Sequence, residues 1–262
     1  MIELQSIGEK VLGIIRSPKI EVTMYGGQNA KSIFLSHTAP HRKLRVVGNK
    51  TLGVALIELP QETGSIFKGR YFGEARRKAN RARKKGFYYQ KVSAIKYFDA
   101  IYSINTSASV RQNRPLDDYM VDVLQVQKFC EKNPEIYGIF DPHGKLQAYG
   151  QGVLCGEVYV LQRFIGHCDY LNTGIMFFLM FELLSDLVNI RKTNGVPLWV
   201  QHDMYFVKSA GARQFKKETG FSPYNVKWLW SDECESAVDQ LSVEKSSEHS
   251  PFSLSRMPRT SR

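Results

Sequence analysis

The stretch from Glu157 to Ile190, EVYVLQRFIGHCDYLNTGIMFFLMFELLSDLVNI, limits the folds open to this chain more than any other. It begins with a run rich in Val, Tyr, Leu and Ile, the composition of a strand inside a sheet. Gly166, Asp169, Asn172 and Gly174 then mark a turn, and a long apolar run with a helical pattern follows. Strand, loop and helix in that order make an α/β junction. Backbone N–H groups at the start of such a helix lack intrahelical partners, and the helix dipole favours anions there. Chemistry is therefore expected between Gly166 and Met176.

A chain of 262 residues with 43% hydrophobic and 12% aromatic content can bury a full core. Its formal charge of +11 calls for an anionic partner: a nucleotide cofactor, nucleic acid or an acidic membrane surface. Cys130, Cys155, Cys168 and Cys234 are far apart with no CxxC pair, which argues against a disulfide framework and a metal site. The N-terminus lacks an apolar core of signal-peptide length. The apolar run from Gly174 to Leu184 contains Glu182 and falls short of the ~20 residues a membrane span needs. A cytoplasmic protein without a membrane span is the expectation.

Three segments follow from composition. Residues 1–65 read as a β-rich N-terminal segment with strands IEVTMY, SIFLSH, KLRVVG and TLGVALIELP, and His37 and His41 as surface residues. Residues 66–232 carry the main pattern. Residues 233–262, rich in Ser, Pro and Arg towards their end, read as a disordered tail.

Within the main segment, residues 68–91 hold ten Lys or Arg against one Glu, while Phe72, Ala75, Ala79 and Ala82 recur at helical spacing. A helix ending at Gly86 would dock a narrow small-residue stripe and present a cationic face. That face suits tRNA or another polyanion; alternatively its arginines meet acidic groups elsewhere in the fold. Phe87, Tyr88 and Tyr89 follow, aromatic enough to stack bases if the chain is a non-catalytic nucleic-acid-binding protein.

A strand and a helix through about Ile104 lead to NTSASVRQNRP, residues 105–115. Asn105, Ser107, Arg111, Gln112 and Arg114 offer hydroxyls, amides and guanidinium forks for a substrate carboxylate or phosphate, or make an ordinary polar loop. Pro115 suits the first position of a helix with Met120, Val123, Leu124 and Phe129 on its core face. A three-strand meander then delivers its third strand to Gly166. After the central helix come the strand PLWVQHDMYF, a short helix capped by Ser209 and ended at Gly220, and the strand YNVKWLW. At the junction itself, His167 and Asp169 are candidates for substrate binding or proton transfer, or for bonding the loop backbone. Cys168 would point away from both if the segment is extended. Tyr205, near the end of the next strand, is a candidate acid or a structural tyrosine.

This order of elements, with RRKANRARKKGF, GIFDPHGKLQAYGQG, IGHCDYLNTGIM and RQFKKETGF, resembles the GNAT superfamily of N-acyltransferases, and within it the branch containing the Fem-type aminoacyl transferases. The resemblance covers roughly residues 66–230 and implies an α/β (α+β) fold: a mixed, mostly antiparallel sheet of six or seven strands flanked by helices. It implies transfer of an acyl group from acyl-CoA, such as acetyl-CoA, to an amine acceptor without a metal. In that family an Arg/Gln-x-x-Gly-x-Gly/Ala loop holds the donor pyrophosphate. Here Arg163 and Gly166 occupy its spacings, Cys168 replaces the small residue, and the loop continues through DYLNT. Amides from Asn172 and Thr173 through Gly174 to Ile175 would then face the donor. The Fem-type likeness implies aminoacyl-tRNA as a second donor class.

Overall fold

The computed structural model describes residues 8, 11–42, 45–111, 114–206 and 209–232. The expected disordered tail at 233–262 and Gln112 lie outside the described residues, and only the backbone of Arg114 is described. The chain folds as α/β, with an open sheet of eight strands in the order β1-β10-β2-β9-β8-β7-β6-β3. The strands are β1 (Lys19–Met24), β2 (Val54–Glu58), β3 (Tyr88–Ser93), β6 (Glu135–Phe140), β7 (Leu146–Cys155), β8 (Val158–Gly166), β9 (Trp199–Met204) and β10 (Ser222–Trp230). β4 (Val110–Arg111) and β5 (Arg114–Pro115) form a separate two-stranded hairpin. Most neighbours pair antiparallel, but β1 with β10 and β8 with β9 are parallel.

The sheet has more strands than expected because β1 and β2, from the N-terminal segment, join it next to β10 and β9. SIFLSH, expected as a strand, lies in helix α1 (Gln28–Thr38), which buries Ala30, Ile33 and His37. These residues are three and four apart, a helical stripe that local β propensity concealed. His37, expected at the surface, is 3% exposed.

Helices cover both faces. On one, α2 (Gly73–Lys84) packs along α5 (Ile175–Asn194). Ala75, Ala79 and Ala82 are buried as the spacing predicts, while Phe178, Leu179, Leu183 and Leu187 bury the facing side of α5. Each of those four larger side chains contributes roughly 1.5–3 kcal/mol on burial. Glu182 and Asp186, expected on a wet stripe, are half-covered because cations from neighbouring elements lie over them. Arg83 pairs with Glu182 at 2.7 Å and Lys91 with Asp186 at 3.2 Å. α5 starts at Gly174 (φ 96°) and stops at Gly195 (φ 76°), whose N–H donates to Arg191 O at 2.7 Å. Both angles are left-handed and suit glycine.

On the opposite face, α3 (Phe98–Thr106) and α4 (Val123–Lys132) pack through Ile101, Ile104, Val126 and Phe129. Pro115 sits in β5, so the expected helix begins later: one helical turn, Asp118–Val121, precedes α4, whose N-cap is Asp122. This later start rotates the apolar residues. Val123 and Leu124 are exposed, and Val126 and Cys130 are buried instead. The last helix, α6 (Ala210–Glu218), has the expected Ser209 cap, and Gly220 takes the expected left-handed conformation at φ 88°.

Candidate functional site

β8 and β9 begin as a parallel pair, with Val158–Val160 against Trp199–Gln201, and then part. Each keeps its other neighbour: β7 stays with β8 as far as Gly166, and β2 with β9 as far as Met204. The sheet therefore splits at the carboxyl ends of these strands. The gap is a cleft of about 730 Å³ walled by β8, by the ends of β9 and α6, by α1 and by the hairpin β4–β5.

Several titratable groups line it. Lys216, on α6, is 3% exposed, and its Nζ donates to Met204 O at 2.5 Å. Burial, with Lys50 adding repulsion against the opposing pull of Asp203, lowers its pKa to about 8. Asp203 pairs with Lys50 at 3.0 Å and holds φ at 54°, unusual for a residue with a side chain. Burial works to raise the Asp203 carboxyl, but Lys50, Lys216 and His202 outweigh it and keep it below the ordinary range. His202 is packed edge-on among Phe164, Phe215 and Phe221. Burial pushes its pKa down to about 3, so it is neutral near pH 7. His37 is held to about 4, mainly by burial, and its Nε2 lies 2.9 Å from Gln201 Oε1. Sequence reasoning missed Lys50, His202, Asp203 and Lys216. The available signal for His202, Asp203 and Lys216 was their position at the end of the strand after the central helix and on the helix beyond it; Lys50, in the turn before β2, carried none.

The expected site residues divide into groups. Arg111 is half-buried at the base of its hairpin. It donates to Asn105 O (3.3 Å), Gly166 O (3.1 Å), Ile104 O (2.5 Å) and Ser107 Oγ (2.8 Å), tying the end of α3 to the end of β8. Ser107 Oγ also accepts from Cys168 N at 3.1 Å. Asn105 is fully buried, with Oδ1 accepting from Tyr149 OH at 2.7 Å. The structure thus brings the 105–111 and 166–168 segments together, largely through their own hydrogen bonds. Arg163 lines the cleft with its guanidinium 3.6 Å from the Phe129 ring. Tyr205 packs on Phe206 and is not among the residues lining the cleft.

Residues 168–173 form a 3-10 helix rather than an extended segment. Its turn brings ligand atoms of His167, Cys168 and Asp169 within 4.8 Å of one another, correcting the expectation that Cys168 diverges from its neighbours. Amides at the start of the loop are bonded within the protein: His167 N to Gln147 O (2.8 Å), Tyr170 N to His167 O (3.1 Å) and Asp169 N to His167 Nδ1 (3.4 Å). Asn172 O accepts from Arg81 at 3.4 Å, Thr173 Oγ donates to Tyr170 O at 2.6 Å, and Ile175 is fully buried. A side chain at Gly174 would strike the Lys78 carbonyl, so α2 lies against the start of α5.

The basic helix is partly neutralised from within. Arg77 pairs with Glu74, Lys78 with Glu218 and Arg83 with Glu182. Among the described residues no acidic side chain pairs with Lys68, Arg70, Arg81, Lys84 or Lys85. Phe87 is buried and Tyr89 donates to Asp186, leaving Tyr88, which is stacked on Phe140, as the one exposed ring of the three.

A mixed, mostly antiparallel sheet flanked by helices and split between two parallel central strands is a GNAT-like architecture. No family model matches the chain, and no curated protein matches it. Solved structures similar to it include L-PGS from Bacillus licheniformis, at 13% identity and TM-score 0.45 over 65% of this chain and 57% of that one. A conserved protein of unknown function from Bacteroides thetaiotaomicron matches at 11% identity and TM-score 0.47, over 64% and 55%. The C-terminal domain of an Agrobacterium fabrum protein described as a lysylphosphatidylglycerol synthetase matches at 12% and 0.44, over 65% and 57%. This chain spans little more than half the length of each of these three. Among the described residues no helix is long and apolar enough to cross a membrane.

Proposed function

We propose that this protein transfers an acyl group to an amine inside the cleft between β8 and β9. The observation that carries the reading is Lys216, a buried amine with a pKa of about 8 in the wall of a split parallel pair. An amine acceptor enters as an ammonium ion and must lose a proton before it can attack. A base with a pKa near the working pH does this best. His202 and His37 are poor candidates because their pKa values lie at about 3 and 4. Neutral Lys216 takes the proton, the acceptor nitrogen attacks the donor carbonyl, and the tetrahedral adduct expels the donor's thiolate or ribose oxygen. The lysine ammonium then returns a proton to that leaving group, and the adduct nitrogen sheds its second proton to water. Enclosure by the cleft fixes the reactants' relative orientation, which removes much of the entropic cost of their encounter.

The bonded amides at His167, Asp169 and Tyr170 favour an aminoacyl ester on a tRNA-like carrier over acyl-CoA. They leave fewer free donors for a pyrophosphate, and the cationic side of α2 adjoins the same loop through Arg81 and Asn172. Transfer of radiolabel to simple amines from aminoacyl-tRNA and from acetyl-CoA, run in parallel with the protein and Lys216→Met, separates the donors. Label transfer by the protein and not by the variant is the expected result; no transfer from either donor would sink the reading.

A further inference from the structure

We propose that His167 Nδ1, Cys168 Sγ and an Asp169 carboxylate oxygen form a binding site for a zinc-class divalent cation at the mouth of the cleft. The site is independent of the acyl-transfer reading. It rests first on the juxtaposition: three side chains of different ligand types place their donor atoms within 4.8 Å of one another. Each carboxylate oxygen of Asp169 already has one of the other two ligand atoms close to it. Cys168 Sγ is 3.2 Å from one Asp169 oxygen, and His167 Nδ1 is 3.7 Å from the other. Around a tetrahedral zinc with Zn–S of about 2.3 Å and Zn–N or Zn–O of about 2.0–2.2 Å, ligand atoms stand roughly 3.3–3.6 Å apart. A pair as wide as 4.8 Å must close by roughly 1.2–1.5 Å, within reach of a side-chain rotation at half-buried His167.

The donor set chooses the metal. Thiolate and imidazole select zinc over magnesium or calcium, and one carboxylate completes a three-ligand set that leaves a tetrahedral position open. Cys168 itself lines the cleft, which puts the site at its edge. The surroundings are already braced. Ser107 Oγ accepts from Cys168 N, and Arg111 binds both Ser107 Oγ and Gly166 O; the contact of the thiol with Ser107 O at 2.8 Å is given up when the proton leaves. Such outer bonds hold a ligand loop in place before the ion arrives. Binding releases the Cys168 proton, because the thiolate is the ligand.

The test is a Co2+ titration of the untagged full chain read by the cobalt–thiolate charge-transfer absorption, with Zn2+ affinity from competition against a chromophoric chelator. One equivalent should produce the band. Cys168→Ser should abolish it, Cys234→Ser should leave it intact, and Asp169→Asn should weaken Zn2+ binding more than tenfold. Should Cys168→Ser fail to fold, Asp169→Asn still decides the matter, since its side chain is 74% exposed. No band at one equivalent, a band that survives Cys168→Ser, or unchanged Zn2+ affinity in Asp169→Asn would overturn the assignment.

Discussion

Arg111 Nη1 donates to the carbonyl oxygen of Gly166 at 3.1 Å, joining a hairpin beyond α3 to the last residue of β8. The other donors of the same guanidinium close on Ile104, Asn105 and Ser107. A charged group so fully spent inside the protein clamps two loops. Burial lowers its pKa, but it keeps its proton. Arg111→Ala should therefore lower thermal stability by about 2–3 kcal/mol, because it orphans several buried carbonyls. Arg111→Lys should recover only part of that loss, having fewer donors and no fork. Unchanged melting in Arg111→Ala would show that the clamp is idle.

Lys216 should trade stability for activity. Its folded pKa of about 8 lies below its ordinary 10.5, so folding disfavours the ammonium form. That cost is fully present below pH 8 and disappears as pH rises through 10.5. Lys216→Met should raise stability at pH 7 by roughly 1–2 kcal/mol while reducing acyl transfer at least 100-fold. Transfer by the unaltered protein should climb with pH and level off above about 8. A variant that is less stable at pH 7, or a flat pH profile, would contradict this role.

His37 and His202 make the fold acid-sensitive. Their pKa values of about 4 and 3 lie below the ordinary 6.5, so they contribute stability above pH 6.5 that is lost as pH falls through 4 and then 3. Denaturation midpoints measured between pH 7 and pH 4 should fall steadily. His202→Phe, which suits a ring enclosed by Phe164, Phe215 and Phe221, should flatten that fall.

Gly174→Ala should be among the most damaging single-methyl changes. It forces a side chain into φ 96° and against the Lys78 carbonyl, so the helix start and α2 must separate. A loss of about 2 kcal/mol or more is expected in a denaturant melt.

The cations at the end of α2 that no acidic side chain among the described residues neutralises should confer salt-sensitive polyanion binding. Replacing Arg81, Lys84 and Lys85 together should weaken tRNA binding and reduce its salt slope by about 2–3, since each phosphate contact releases condensed counterions. The same replacement at Arg77, which is engaged with Glu74, should matter less.

The strand, loop and helix at 157–190, the meander before it and the Ala stripe of α2 were all legible by reading the chain, because each depends on a local period and local turn chemistry. Gly174, Gly195 and Gly220 punctuate those elements for the same reason. SIFLSH misled because a short apolar run has the same composition in a strand and a buried helix, and only packing against β1, β10 and the rest of that core settled it. Tertiary structure alone decided the site. Lys216, Asp203, Lys50 and His202 are separated by as much as 166 residues of chain, and nothing local signals that a splayed strand pair will gather them. Their altered proton affinities come from burial and from one another, properties that exist only once the sheet has closed around them.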